Sequence, residues 1–155
     1  MKTIYIVLIA VILGGIMGFK PEDTAVQWYE WNEGYAMAEK KDKLVLVDLY
    51  TDWCGWCKKM DRDTYTNQDI INTINDNFIA IKLNPERTDM TYKIDTLTLR
   101  GNQLHYILTN GQRTGFPTTV FVNPKNNSIV FAQPGYQDPE NFKKILDKVI
   151  ANNEK

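Results

Sequence analysis

The sequence predicts an α/β domain, a central mixed β-sheet flanked by helices, on three observations. Leu44-Val45-Leu46-Val47 is an unbroken apolar run of the kind required by a strand covered on both faces. A second run, Phe78 to Leu83, follows a stretch of helical periodicity, which makes a βαβ unit with a right-handed crossover and two parallel strands. Near the C-terminus Phe142, Ile145, Leu146, Val149 and Ile150 recur at i, i+3, i+4, i+7 and i+8, the spacing of one helix face laid on a sheet. At 155 residues the chain holds one domain of ordinary size, over 26–155, whose core needs no staples.

In chain order, residues 20–25 are polar, carry Pro21 and read as a linker. Val26, Trp28 and Trp31 supply a short first strand and its exit, and Glu33 to Lys41 reads as a helix with basic residues at its end. Asp42-Lys43 turns it into the strand over 44–50. A helix is expected from Cys54 to about Arg62. A second follows Asn67, whose side chain suits a cap, with Ile70, Ile71 and Ile74 on one face and Asn75-Asp76-Asn77 at its end. Within 84–114, Tyr92-Lys93-Ile94 and Leu97-Thr98-Leu99 read as a small hairpin, and Asn102 to Thr109 as a short helix. Val120-Phe121-Val122 and Ile129-Val130-Phe131 flank the turn residues Asn123-Pro124-Lys125-Asn126-Asn127 and form an antiparallel pair. Asp138 caps the last helix, with Pro139 at its first position.

The 18 basic and 19 acidic residues nearly cancel, so there is no basic field to hold nucleic acid and no acidic tail for a cationic partner. Lys2 followed by the uncharged run Thr3 to Phe19 has the pattern of a secretory signal. That run falls a little short of the roughly 20 residues that span a bilayer, and no Ala-x-Ala site follows it. Residues 1–19 therefore fit either a cleaved signal peptide or a membrane anchor through residues 3–19, and export is expected in both cases.

The chain's only two cysteines, Cys54 and Cys57, lie in the run Asp48-Leu49-Tyr50-Thr51-Asp52-Trp53-Cys54-Gly55-Trp56-Cys57-Lys58. A strand turning sharply into a helix sets Cys54 at the helix N-terminus, where unpaired N–H groups and the positive end of the helix dipole favour thiolate over thiol. A structural disulfide closing so small a loop is worth about 2 kcal/mol before strain, against about 3 for a fifteen-residue loop, which makes it a poor staple. Zinc takes four ligands as a rule. The chain offers only His105, its sole histidine, and scattered carboxylates, so no metal site is expected; copper(I) held by the two thiolates stays an alternative. The βα context favours redox activity of the pair. In an oxidising compartment, a chain with no other cysteine has nothing to scramble during exchange. His105 reads as a surface or packing residue, since nothing in the sequence ties it to the cysteines, and Asp52 as solvent-facing.

The order of elements around Trp-Cys-x-x-Cys-Lys resembles the thioredoxin superfamily from about Trp28 to Ile150. The resemblance implies a thioredoxin-like fold with an insertion, about 84–114, before a cis-proline loop. Asp48, six residues before Cys54, falls where that family keeps a buried acid, and Lys82 in Ile81-Lys82-Leu83-Asn84 matches the acid's buried lysine partner. Pro117 in Gly115-Phe116-Pro117-Thr118 matches the family's cis-proline, and Gly135 a glycine near the last helix. The run Leu49-Tyr50-Thr51-Asp52-Trp53 is most similar to exported, thiol-reducing members, including the periplasmic thioredoxin-like domain of transmembrane electron carriers. Two departures stand out. Trp56 replaces the proline of thioredoxin itself, which removes a fixed φ angle, and the 84–114 segment is about twice its counterpart's length. That segment fits either a determinant of partner choice or a surface elaboration.

The resemblance implies a thiol:disulfide oxidoreductase with catalytic Cys54, Cys57, Asp48 and Lys82 and no cofactor. Cys54 thiolate attacks a partner disulfide and Cys57 resolves the mixed disulfide, giving its proton to Asp48; Asp48 as a satisfied polar residue at a strand end is the alternative. Trp53, Gly55, Trp56, Phe116 and Pro117 are the expected substrate-binding set, with Trp53 also partly in the core. Expected partners are disulfide-bearing exported proteins and a membrane electron donor, met in the periplasm by a monomer either soluble or anchored to the inner membrane. A non-catalytic binding module or copper(I) carrier is the competing function.

Overall fold

A computed structural model describes residues 23–153. The expected signal or anchor at 1–19 and the first residues of the linker lie outside these. The remainder of the linker is tied down: Asn75 Nδ2 donates to Asp23 Oδ2 and Ala25 O at 3.1 and 3.0 Å, and Gln68 Nε2 to Asp23 O at 2.8 Å. Among the described residues no helix is long and apolar enough to cross a membrane.

The chain runs β1 (Trp28–Tyr29), α1 (Trp31–Lys41), β2 (Leu44–Leu49), α2 (Gly55–Asp63), α3 (Gln68–Asn77), β3 (Phe78–Leu83), β4 (Tyr92–Ile94), β5 (Leu97–Leu99), α4 (Gly101–Leu108), β6 (Thr118–Asn123), β7 (Ser128–Pro134) and α5 (Pro139–Asn153). The main sheet has the order β1-β3-β2-β6-β7. β1, β3 and β2 are parallel, and β6 and β7 join antiparallel, so the sheet is mixed as expected. β4 and β5 form the separate hairpin expected in the insertion.

Side-chain alternation divides the core between the two faces of the sheet. Val45, Val47 and Leu49 of β2, with Ile79, Ile81 and Leu83 of β3, pack with Trp31 and Tyr35 of α1 and Leu104 and Leu108 of α4. Leu44, Leu46, Phe78, Ala80 and Phe121 pack on the other face with Ile70, Ile71 and Ile74 of α3 and Phe142, Leu146 and Val149 of α5. Parity also puts Asp48 and Lys82 on this second face, where the continuous apolar run gives way to charge.

Several boundaries move. α1 begins at Trp31 rather than Glu33 because Glu30, extended and without a side-chain cap bond, serves as its N-cap and lets Trp31 bury completely. Trp31 Nε1 then donates to Lys93 O at 2.8 Å, which seats the β4–β5 hairpin against the start of α1. β2 ends at Leu49 rather than residue 50, although Tyr50 N–H still reaches Leu83 O at 3.1 Å. β6 and β7 are longer than their apolar centres, because backbone pairing continues through Thr118, Thr119 and Gln133.

The insertion is closed by contact between Gly101 and Pro85: a Cβ at Gly101 would lie 2.3 Å from the Pro85 carbonyl oxygen. Backbone oxygen cannot rotate away. Gly101→Ala should therefore cost about 1–3 kcal/mol of stability, read as a lower denaturant midpoint with an unchanged slope.

Candidate active site

Between β2 and α2 the chain reverses in a few residues. Cys54 N–H donates to Thr51 O at 3.1 Å, and Cys54 is the extended N-cap of α2, its Sγ accepting the Cys57 N–H at 3.0 Å. A sulfur held there by a backbone donor at the positive end of a helix is stabilised as thiolate whenever the pair is reduced. Cys54 and Cys57 are joined in a disulfide with Cα atoms 5.3 Å apart.

The cysteines are 4% and 3% exposed, but their neighbours are open. Trp53 and Trp56 are 68% and 59% exposed, and a Cβ at Gly55 would meet nothing within 4 Å. Trp53 is thus not part of the core, contrary to expectation. Its indole is held from outside, edge-on to Phe116 at 6.0 Å and donating Nε1–H to Glu86 Oε2 at 2.9 Å. Trp56 leans on Tyr136, ring centroids 5.6 Å apart. Asp52 faces solvent.

The Phe116–Pro117 peptide is cis. Pro117 O accepts the N–H of Gly135, which sits at φ 85°, and Thr118 Oγ1 donates to Gly115 O at 2.7 Å. Gly135 serves this loop because a left-handed backbone there brings its N–H to Pro117 without a Cβ penalty. The Trp53–Phe116 contact joins the loop to the cysteine turn, so Trp53 and Phe116 share one rim, with Gly55 and the buried Pro117 close to them in the chain.

Beneath α2 the parallel register sets Asp48 opposite Lys82, and the antiparallel register sets it opposite Thr119. Lys82 Nζ lies 3.1 Å from Asp48 Oδ2 and 2.5 Å from Asp61 Oδ1. Asp61 is one turn beyond Cys57 on the same helix face. Lys82 is half-buried rather than buried: its ammonium lies over the rings of Trp28, Tyr50 and Tyr65, and a cleft of about 240 Å³ lined by Trp28, Glu30, Tyr50 and Arg87 reaches it. Burial raises the Asp48 pKa by more than the Lys82 charge lowers it. For Lys82, burial pulls the pKa down and the two carboxylates outweigh it. Asp48 Oδ1, Tyr65 OH and Thr119 Oγ1 are buried together, the phenol facing both the carboxylate and the threonine hydroxyl without closing a well-formed hydrogen bond to either. Burial first, then the Asp48 charge, pushes the Tyr65 phenol well above its ordinary value.

The insertion touches the rim through Glu86 on Trp53 and through His105, whose ring lies 5.5 Å from Phe116. His105 is a packing residue as expected: its Nε2 is buried without a partner, and burial lowers its pKa. The sequence alone does not point to Asp61, Tyr65 or Glu86. Asp61 alone had a signal, its four-residue offset from Cys57. Among the described residues no group of three or more His, Cys, Asp or Glu is placed to hold a metal.

The family model Thioredox_DsbH, described as "Protein of unknown function, DUF255", matches residues 19–154. An uncharacterized protein, B0495.5, of Caenorhabditis elegans is 28% identical over 106 residues, 67% of this chain and 13% of that one. The thiol:disulfide interchange protein DsbD of Haemophilus influenzae strain PittGG is 24% identical over 115 residues, 74% of this chain and 18% of that one. The chain thus spans less than a fifth of either relative. Among solved structures, a thioredoxin from Thermus thermophilus has a TM-score of 0.64 at 20% identity, covering 81% of this chain and 88% of that chain. A DsbH oxidoreductase has a TM-score of 0.62 at 14% identity, covering 88% and 92%. At such identities the two structures show the fold.

The raised pKa of Asp48 has a consequence for stability. Asp48 binds its proton more tightly in the folded chain than in the unfolded one, so its contribution is fully present at acid pH and is lost as pH rises through its folded pKa. Asp48→Asn should therefore raise stability at pH 7–8 relative to the wild type, because the amide carries no charge to desolvate. The gain should shrink as pH falls, measured by denaturant unfolding across the range.

Proposed function

The chain belongs to the Thioredox_DsbH family, with a thioredoxin-like fold and a close cysteine pair of the thiol:disulfide oxidoreductase kind, and from that premise we propose that it reduces disulfides of exported proteins through Cys54 and Cys57. The observation that carries the proposal is the placement of Cys54 as the N-cap of α2, its sulfur accepting a backbone N–H, beside a rim of exposed aromatics and a cis-proline. A purely structural bridge requires none of these.

In the reduced protein, Cys54 thiolate attacks one sulfur of a partner disulfide. A Cys54–partner bond forms, and the other partner sulfur leaves as thiolate and takes a proton from solvent. Cys57 then gives its proton to Asp48 and attacks Cys54 Sγ. The Cys54–Cys57 bond forms, the second partner sulfur leaves, and two electrons have passed to the partner. Asp48 suits this role because burial keeps its affinity for a proton above that of an ordinary carboxylate. Gly55 leaves the approach to the sulfurs open, and Trp53, Trp56, Phe116 and Pro117 offer apolar contact and an extended backbone to a bound segment. Glu86 and His105 hold two of these aromatics, which gives the insertion a part in partner choice.

We place this activity in the periplasm, with residues 1–19 as cleaved signal or inner-membrane anchor and a membrane dithiol carrier restoring the reduced pair. The similarity to DsbD, named a thiol:disulfide interchange protein, and the absence of a histidine between the cysteines support the reducing direction.

Cys57→Ser should accumulate covalent adducts through Cys54 that a reductant releases, and Cys54→Ser should form none, read by non-reducing electrophoresis after incubation with a disulfide-bonded protein. Copper retention without adducts would mark a carrier instead. Equilibration of the 54–57 pair with glutathione should give a potential at or below about −220 mV, whereas a value near −120 mV would make it an oxidant.

A further inference from the structure

Lys82 is shared unequally. Its ammonium is 2.5 Å from Asp61 on α2 and 3.1 Å from Asp48 on β2, so the closer contact is with the carboxylate that has no place in the exchange steps above. Asp61 is 43% exposed, with its carboxylate open to water, whereas Asp48 is buried with one carboxylate oxygen unpartnered. A cation spent on the group that needs it less leaves the buried acid undercompensated.

We propose that Asp61 is a positioning residue for the proposed exchange: it draws Lys82 away from Asp48 and thereby keeps Asp48 able to hold and release the proton of Cys57. This rests on the exchange reading of Cys54 and Cys57. The charged and titratable groups facing Asp48 are Lys82 from β3, Asp61 from α2 and Tyr65 from the α2–α3 connection, with the hydroxyl of Thr119 opposite it on β6. Asp61 acts on Asp48 in two ways of the same sign. Its charge repels a second carboxylate, and its hold on Lys82 weakens the attraction that would ionise one. Because Asp61 lies one turn from Cys57, a shift of α2 that alters the cysteines also alters this division of the ammonium.

Asp61→Asn keeps the shape of the side chain and removes its charge on a part-exposed helix surface. In the disulfide-bonded protein, the Asp48 carboxyl followed by ¹³C NMR should titrate about one pH unit lower in Asp61→Asn than in the wild type. Asp61→Glu should restore the wild-type value. The same shift should be visible in reduction of the 54–57 disulfide by dithiothreitol. There the donor thiolate attacks Cys54, the S–S bond breaks, and the Cys57 thiolate takes the proton that Asp48 carries. With rates corrected for the ionisation of dithiothreitol, the fall in rate with rising pH should begin about one unit earlier in Asp61→Asn. An unchanged Asp48 titration, or one moved upward, overturns the inference. A Cys57→Ser protein that forms no adduct with any disulfide overturns the exchange reading instead, and the NMR titration still decides whether Asp61 governs Asp48.

Discussion

The parallel pairing of β2 with β3 is the constraint on which the site depends. Its register puts Asp48 beside Lys82, on the face where the preceding alternate residues, Leu44 and Leu46 against Phe78 and Ala80, are core. A one-residue slip of β2 against β3 would turn Asp48 to the opposite face, among Trp31, Leu104 and Val120, and part it from Lys82. The burial of Leu44, Leu46, Phe78 and Ala80 therefore fixes the place of the acid and its cation as firmly as it fixes the core. Asp48 is strongly buried for the same reason that its neighbours are: it lies on a central strand, with sheet partners on both sides.

α2 is seated over this pair, and its two ends do different work. The N-terminus holds the sulfurs at unpaired backbone donors, while its second turn returns a carboxylate, Asp61, to the ammonium beneath. One short helix thus connects the cysteine turn to the Asp48–Lys82 pair beneath it. Met60 and Cys57 bury the helix between those ends.

The insertion shows how an elaboration can bear on chemistry without supplying a reacting group. Trp31 Nε1 and Asn32 anchor its hairpin to α1, Gly101 brings α4 against Pro85, and the outcome is that Glu86 and His105 stand behind Trp53 and Phe116. The two exposed aromatics beside the cysteines are therefore Trp53, oriented by a carboxylate from the insertion, and Trp56, oriented by Tyr136 from the connection between β7 and α5.

What the sequence by itself determined was local. Apolar runs, the Asn67 cap, Asp138 with Pro139, and the turn after Asn123 are settled by stereochemistry within a few residues, and so were the order of elements and the cysteine pair at the head of a helix. The start of α1 is hidden in the sequence because its N-cap carries no side-chain signal, and the exposure of Trp53 is hidden because an aromatic's burial depends on what lies above it. Only the tertiary structure decided the division of Lys82 between two carboxylates and the reach of Glu86 to the Trp53 indole. Those contacts join residues 21 and 33 positions apart in the chain, and a distance across such a separation is set by register and packing, neither of which composition or periodicity encodes.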